Sequence, residues 1–463
     1  MDLVRLVEDK VLSVVEKIFG VLDGKTDYNS FELQLKKELD GLGCDLLKFV
    51  LETLEQKIEE SEERKLNWRR IRKNDQKAIL TLFGQLIYYR SYYQHKESKK
   101  YAYLVDEQIG VTPHSRVGTT LKAELAEAST GMSYEEATVR VSGHNPALKV
   151  SKQTVSLSVK EFNPKIAPPP QTKRHAPKIY IEADEDHVKV KGRKGAQARL
   201  VYIHEGIEDY PRRHLKNVKY FTGIKEKPEE LWWRVLDYLE ANYELSSTKQ
   251  IYLAGDGAPW IRLGTEYIPG AIFILDKFHL SKYILTATAH APELKKLVYR
   301  GIKSLNKQKV LEYLHEALKR AQEQPRQKRI IDTIKYIDHN WDGIENAVKN
   351  PHIGCSAEGH VSHILAARLS SRPMAWSLQG AEKMAKMRVA KANGESISKQ
   401  YLEAKTPTSP IVVEIKEAMQ KELKRLKQTK LLGRGNHSNI PLFSSGSNLT
   451  RMALKALNKK NAV

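Results

Sequence analysis

Cysteine is almost absent from this chain. Cys44 and Cys355 are the two thiols in 463 residues and stand far apart. That spacing excludes a disulfide framework and a cysteine-rich zinc site, and it suits a reducing cytoplasm. Long apolar runs are also missing, so no membrane-spanning helix is expected. The opening MDLVRLVEDKVLSVVEKIF threads acids through a helical pattern and lacks the apolar core of a signal peptide. No internal repeat stands out. Acidic residues are in short supply: 56 Asp and Glu face 77 Lys and Arg, a net charge of +21. Such an excess predicts attraction to a polyanion, with nucleic acid ahead of an anionic membrane surface. The length predicts roughly two to four domains.

What is present changes character along the chain. Residues 1–65 read as helix: Leu3, Val4, Leu6, Val7, Val11 and Leu12 recur near a 3.6 period, and Leu46, Leu47, Val50, Leu51 and Leu54 repeat it. A plain helical bundle accounts for this; dimerisation or DNA-end binding is the functional alternative. Residues 66–110 are basic and rich in tyrosine, and read as a β-hairpin around a polar KESKK turn. Arg69, Arg70 and Arg72 could grip a DNA backbone while tyrosines stack on bases. Equally, the tyrosines could simply pack a small sheet. Residues 111–165 read as a helix-turn-helix-like domain, SYEEATVRVSG followed by VSKQTVSLSVKEF. Lys152, Gln153 and Ser156 are expected on the exposed face of its second helix, as DNA-binding residues. Residues 166–178 form a proline-rich linker.

After the linker the pattern becomes regular. Strands are expected at 179–190, 198–205, 217–223, 251–255 and 271–276. A helix is expected from Pro228 to Tyr243, with Trp232, Trp233, Val235, Leu236 and Leu239 as its apolar side. This is the element order of a ribonuclease-H-like fold, a mixed α+β sheet with helices packed on it. Its first part spans 179–279. An all-helical insertion follows over 280–352, then the last part of the core over 353–400. Residues 401–463 read as a mobile basic tail.

Acids cluster in IYIEADEDHVKV, residues 179–190. A carboxylate at the end of a buried strand sits on rigid backbone, where a metal ligand has to sit; a surface hairpin with solvated acids is the plain alternative. Three acids stand out by position: Asp184 is expected to end the first strand, Asp256 follows the fourth, and Glu358 opens a late helix. The first and fourth strands are neighbours in the expected sheet. Hard oxygen ligands gathered at one point suit Mg2+ or Mn2+, and two such ions can cleave and join phosphodiesters. Singly, each residue has a simpler account. Asp256-Gly257 is a turn signal. Asp276 could cap the helix that follows. His279 could be a core histidine, and Glu358 a first-turn acid facing water.

IYIEADEDHVKV, IYLAGDGAPWI, FILDKFHLSKYI and CSAEGHVSHILAARLSSRPMAWS together resemble bacterial insertion-sequence transposases of the DDE class. The resemblance is to the ISLre family, related to the Mutator-like transposases, and covers roughly residues 66–400. It implies a ribonuclease-H-like core interrupted by a helical insertion, with Mg2+ or Mn2+ held by Asp184, Asp256 and Glu358. Asp186 competes with Asp184 for the first place. Glu185 and Asp186 follow where relatives often carry a small or neutral residue. Asp276-Lys277-Phe278-His279 matches a further family motif, which implies catalytic support from Asp276 and His279. The implied activity is cleavage and strand transfer at the element's own ends. The implied partners are double-stranded DNA (terminal inverted repeats and target) and further copies of the chain, as a homodimer or higher homo-oligomer. No membrane is involved, and the expected place is the bacterial cytoplasm at the nucleoid. A DNA-binding relative without turnover, or a structure-specific nuclease on the same fold, are the alternatives.

Overall fold

The computed structural model describes residues 3–143, 145, 148–164, 172–192, 194–405, 417, 420 and 421. Residues 166–171 of the expected proline-rich linker and most of the expected basic tail therefore lie outside the described residues. The chain divides into two units, one of residues 1–158 with 398–463 and one of residues 159–397.

The first unit opens with helices α1 (Leu3–Leu22), α2 (Tyr28–Glu60) and α3 (Glu62–Asn67). Asp27 starts α2 by accepting the Ser30 N–H, and Ser61 ends α2 while capping α3 through the Arg64 N–H. Strands β1 (Trp68–Thr81), β2 (Gly84–His95) and β3 (Tyr101–Ala102) form an antiparallel sheet in that order. The expected KESKK turn joins β2 to β3. A tighter turn at Leu82 and Phe83 joins β1 to β2, and its apolar residues hid it from the sequence reading. Gly84 follows at φ +131°, a conformation that side chains rarely adopt. Leu51 and Ile58 of α2 pack on Ile79, Leu86, Tyr88 and Tyr93 of this sheet. Leu46 and Val50 are exposed instead. Helices α4 (Leu104–Gln108), α5 (Thr119–Ser129), α6 (Tyr134–Ser142) and α7 (Lys152–Glu161) follow. Leu121, Leu125, Ala137, Leu148 and Val155 give the last three a small core of their own.

The second unit holds β4 (Lys178–Val188), β5 (Ala196–His204), a small ladder of β6 (Ile207–Glu208) and β7 (His214–Leu215), and β8 (Lys219–Gly223). Next come α8 (Pro228–Asn242), β9 (Gln250–Gly255), α9 (Pro259–Arg262), α10 (Gly264–Tyr267) and β10 (Ala271–Leu275). The five-stranded sheet runs β10-β9-β4-β5-β8. β4, β5 and β8 pair antiparallel; β4, β9 and β10 pair parallel. A short connection suffices for β4 to β5, whereas parallel β9 needs the crossover that α8 supplies. Alternation decides the faces. Ile179, Ile181 and Ala183 share one buried cluster with Trp232, Val235 and Leu239 of α8. Trp233, expected on that apolar side, is instead 54% exposed, edge-on to Tyr267. Tyr180, on the other parity, packs with Tyr252, Ala254 and Ile274.

The helical segment comprises α11 (Lys277–Thr288), α12 (Pro292–Lys303), α13 (Lys307–Arg320), α14 (Gln324–His339) and α15 (Trp341–Lys349). Ile284, Val298, Val310, Leu314, Ile330 and Ile344 belong to the same core as the sheet. The expected insertion is thus continuous with the sheet's core. Helix α16 (Ala357–Val361), a π-helical turn at Ser362–Ala366, α17 (Ala367–Leu369) and α18 (Leu378–Ala392) follow, and α19 (Ile397–Lys405) closes the described elements.

Candidate functional site

β4 pairs with β9 from Lys178 to Glu182, where Glu182 stands opposite Ala254. At the next step the two backbones close up. A Cβ on Gly255 would sit 2.9 Å from the Ala183 carbonyl oxygen, so glycine permits the approach. Asp184 lies two residues beyond the last β4–β9 pair, inside β4 and still paired with Leu200 of β5, so the structure does not end the strand at this acid; Asp256 directly follows β9. Burial first, and then the charge of Asp256, pushes the Asp184 carboxyl up to about 6. The Glu185 N–H, which donates to Asp184 Oδ1 at 2.8 Å, and the His279 ring oppose that rise.

Asp256 is fixed by its own turn and by α14. Its Oδ1 accepts the Ala258 N–H at 2.9 Å, and the Tyr336 hydroxyl donates to its carbonyl at 2.7 Å. Gly257 takes φ +90°, and a Cβ there would meet the Asn340 side chain at 2.5 Å. No other residue type fits this turn without strain.

β10 leads into Asp276 and His279. The Asp276 N–H donates to the Gly255 carbonyl at 2.8 Å, tying the ends of β9 and β10 together. The Asp276 carboxylate caps α11, accepting the Phe278 N–H at 3.0 Å and the His279 N–H at 3.4 Å. It also holds His279 Nδ1 at 2.7 Å. That hydrogen bond, followed by the charges of Asp276, Asp256 and Asp184, raises the His279 pKa against the effect of burial. Three parallel strands therefore deliver Asp184, Asp256, Asp276 and His279 to one end of the sheet. Carboxyl ends of such strands are where open α/β sheets bind ligands.

Glu358 is placed differently. It is exposed in the first turn of α16, the helix packed on β4. Among the described residues, no group of three or more His, Cys, Asp or Glu side chains stands close enough to hold a metal ion. Asp184 and Asp256 are hard oxygen donors, and a cation would relieve the charge that raises Asp184, so this pair fits Mg2+ or Mn2+. Glu358 is not gathered with them. The acids that follow Asp184 are engaged elsewhere. Glu185 accepts from Trp260 Nε1 at 2.6 Å, and Asp186 accepts from the Ser370 hydroxyl at 2.8 Å.

Glu182 escaped the sequence reading. It is 5% exposed and accepts from the Tyr202 hydroxyl at 2.6 Å, His204 Nε2 at 3.0 Å and the Ser356 hydroxyl at 3.1 Å. The Ser356 N–H donates to it as well, so Glu182 fastens the start of α16 to β4. Burial pushes its pKa up, but the hydrogen bonds from His204, Tyr202 and Ser356 outweigh this and hold it below the ordinary value. Tyr202 and His204, at alternate positions of β5, gave a partial signal, but Glu182 stands in a strand with three other acids. Glu182→Ala leaves buried donors without a partner. At roughly 1–3 kcal/mol for each, a loss of about 3 kcal/mol or more is expected in thermal melts. An unchanged melting temperature would remove this network from the account.

The expected DNA-binding residues lie in the first unit. Lys152 and Gln153 are exposed on α7, whereas Ser156 is half-buried, contrary to expectation. Its position beside buried Val155 turns it partly toward the small core. Lys152 pairs with Glu135 of α6 at 3.1 Å, an exposed contact worth little. Arg69, Arg70 and Arg72 are exposed on β1. Arg70 pairs with Glu59, and Arg72 pairs with Asp75 at 3.0 Å while lying 4.8 Å from the Tyr92 ring centre. Tyr92 stacks on Tyr101 and packs against Tyr103.

These features define a mixed α/β protein with acids collected where the parallel pairing of its central strands ends. No helix among the described residues is long and apolar enough to cross a membrane. The chain belongs to UPF0236, described as an uncharacterised protein family, which matches residues 23–406. A UPF0236 protein of Caldanaerobacter subterraneus subsp. tengcongensis is 39% identical over 385 residues, 82% of each chain. Another from that organism, whose name carries eleven locus designations, is 38% identical over 375 residues, 80% of this chain and 79% of its own. The Streptococcus gallolyticus protein named for the vanSb 3′ region is 24% identical over 434 residues, 89% of this chain and 93% of its own.

Proposed function

We propose that this chain is a DNA transposase of the DDE class, similar to the ISLre family, with a ribonuclease-H-like core. The observation that carries the reading is the pair Asp184 and Asp256, one in β4 just past its last pairing with β9 and one directly after β9. The strand order supports it: three antiparallel strands followed by two parallel ones, with the first strand central. A name covering eleven loci of one genome supports it too, since dispersed copies are what a mobile element leaves. The charge of +21 suits a DNA substrate.

In this reading Asp184 and Asp256 would hold Mg2+ or Mn2+. Bound there, the metal would lower the pKa of a water or 3′-hydroxyl and stabilise the leaving oxygen of a phosphodiester. The chain's own groups do the positioning. Asp276 fixes the His279 ring, whose raised pKa favours the protonated form, and that ring orients a phosphate oxygen beside the carboxylates. His279→Ala is expected to slow strand transfer by roughly one to three orders of magnitude, read as single-turnover rates. His279→Gln should recover part of the rate. A folded His279→Ala protein with unchanged rates would return His279 to a structural role.

The full-length protein, as a homodimer or higher oligomer on DNA, should cleave and join duplexes that carry its own element ends when Mg2+ is supplied. Cleavage of branched DNA without joining, and without preference for the ends, would point to a structure-specific nuclease. A second reading, a DNA-binding relative without turnover, is favoured by the exposed Glu358, which no trio of ligands engages among the described residues. Binding of the ends with no cleavage in Mg2+ or Mn2+ would select it.

A further inference from the structure

Helix α2 is covered on two sides and bare on a third. Leu51 and Ile58 face the sheet, and a Cβ on Gly43 would meet the Phe83 ring at 2.5 Å. Helix α1 takes the second side: Lys17 pairs with Glu38 at 2.8 Å, and Lys10 lies 3.7 Å from Asp45. Between these sides, at about 100° per residue, fall Tyr28, Leu35, Leu39, Leu42, Leu46 and Val50, within about 80° of arc. Tyr28 is 68% exposed, Leu39 52%, Val50 49% and Leu46 37%. The steps from 28 through 35, 39 and 42 to 46 are those of a coiled-coil seam, and Glu32 holds the skipped place. A contiguous exposed apolar row of this kind marks an interaction surface.

The ends of this row carry opposite charge. Glu32 lies on it near the start and Lys57 at the far end. Thr53, between Val50 and Lys57, gives its hydroxyl to the Phe49 carbonyl at 2.8 Å, so it adds no unmet donor. A second copy of α2, laid antiparallel about a two-fold axis near residue 44, sets Glu32 beside the partner's Lys57 and Lys57 beside the partner's Glu32. Leu42 then meets the partner's Leu46, and Leu39 the partner's Val50. A parallel copy would oppose Glu32 to Glu32 and Lys57 to Lys57. The row therefore fits itself, in one orientation. DNA would want cations along it, and the Lys- and Arg-rich residues 421–463 would want acids; positions 28, 35, 39, 42, 46, 50 and 53 offer neither.

We propose that α2 is the dimerisation element of this protein, and that its partner is α2 of a second copy, antiparallel and joined along residues 28–57. The paired stretch is roughly 44 Å of helix, about eight turns. Its leucines and Val50 leave water as the copies meet. The Glu32–Lys57 pairs at the two ends set direction and register more than strength. The interface does not depend on the transposase reading; where that reading holds, two joined copies carry the two ends of one element.

The test is sedimentation of the full-length protein without DNA, across a concentration series. The unaltered protein should sediment as a dimer. Leu39→Glu with Leu46→Glu should raise the dimer dissociation constant about a hundredfold or more, because carboxylates from both copies would enter the seam. Both leucines are exposed in the single chain, so helix content should be kept, which circular dichroism checks. Leu33→Glu, the same change at an exposed leucine off the row, sets the baseline and should leave the dimer intact. Glu32→Lys should weaken the dimer, and adding Lys57→Glu should restore it. A monomeric unaltered protein overturns the proposal, as does a dimer that the paired leucine changes weaken no more than Leu33→Glu does. A charge swap that fails to restore the dimer overturns the antiparallel register. None of these results bears on cleavage of element ends, which has its own assay.

Discussion

Asp256→Asn is expected to leave a folded protein that still binds DNA but cleaves about a thousandfold more slowly, or worse. Two parts of the structure set that size. Asp256 stands on a turn completed by Gly257 at φ +90°, its carbonyl held by Tyr336 and its carboxylate by the Ala258 N–H, so its position is fixed by its own backbone. Charge stabilisation by a catalytic metal is worth several kcal/mol in the transition state, and each ~1.4 kcal/mol is tenfold in rate. DNA affinity should survive, because it comes from phosphate contacts by Lys and Arg across the surface. Asp186→Asn serves as the internal control. Asp186 is hydrogen-bonded to Ser370, so its loss should cost far less. Full cleavage by Asp256→Asn in Mg2+ would sink the assignment. An inactive Asp186→Asn beside an active Asp184→Asn would move the first ligand two residues along β4.

That choice between Asp184 and Asp186 shows where the sequence stops being informative. Both are even-numbered residues of one strand, so period-two alternation puts them on the same face. Hydrophobic pattern cannot separate them. What separates them is where the pairing of β4 with β9 stops, at Glu182 opposite Ala254, and which residue the loop at Ser370 reaches. Both depend on register across long chain separations. Elements with local signals were legible: all five strands of the central sheet and α8 lie within about two residues of expectation at each end. Asp276 was legible as a cap because capping is local. The Leu82–Phe83 turn was not, since it lacks the usual turn residues apart from the following Gly84. Glu182 was hidden for a different reason. Beside three other acids it looked like one more ligand candidate or a solvated charge, and its partner Ser356 is distant in sequence.

Asp184→Asn should melt at a higher temperature than the unaltered protein at pH 8 in EDTA, and the order should reverse in Mg2+. Burial and the charge of Asp256 raise the Asp184 pKa from 3.8 to about 6. A carboxyl raised in the folded state binds its proton more tightly there than in the unfolded chain. The stability it contributes is whole below about pH 4 and is lost as pH rises through about 6. Two units correspond to about 3 kcal/mol at most, and solvent reaching the half-buried carboxyl trims that toward about 2. Asparagine keeps the shape and accepts the Glu185 N–H, yet carries no charge to repel Asp256. Its melting curve should therefore lack this fall between pH 4 and pH 8. Added Mg2+ acts on the other side of the balance. An ion that binds only the folded state adds about 2.7 kcal/mol at a hundred times its Kd, and the unaltered protein should gain most of it. The variant, one ligand short, should gain little. Identical pH profiles in EDTA would mean that Asp184 is not held neutral by its surroundings, and equal gains from Mg2+ would place the ion elsewhere. A gain in stability on losing the charge, cancelled by the cation, is what a carboxylate pair built to hold metal produces, and a solvated surface acid produces neither.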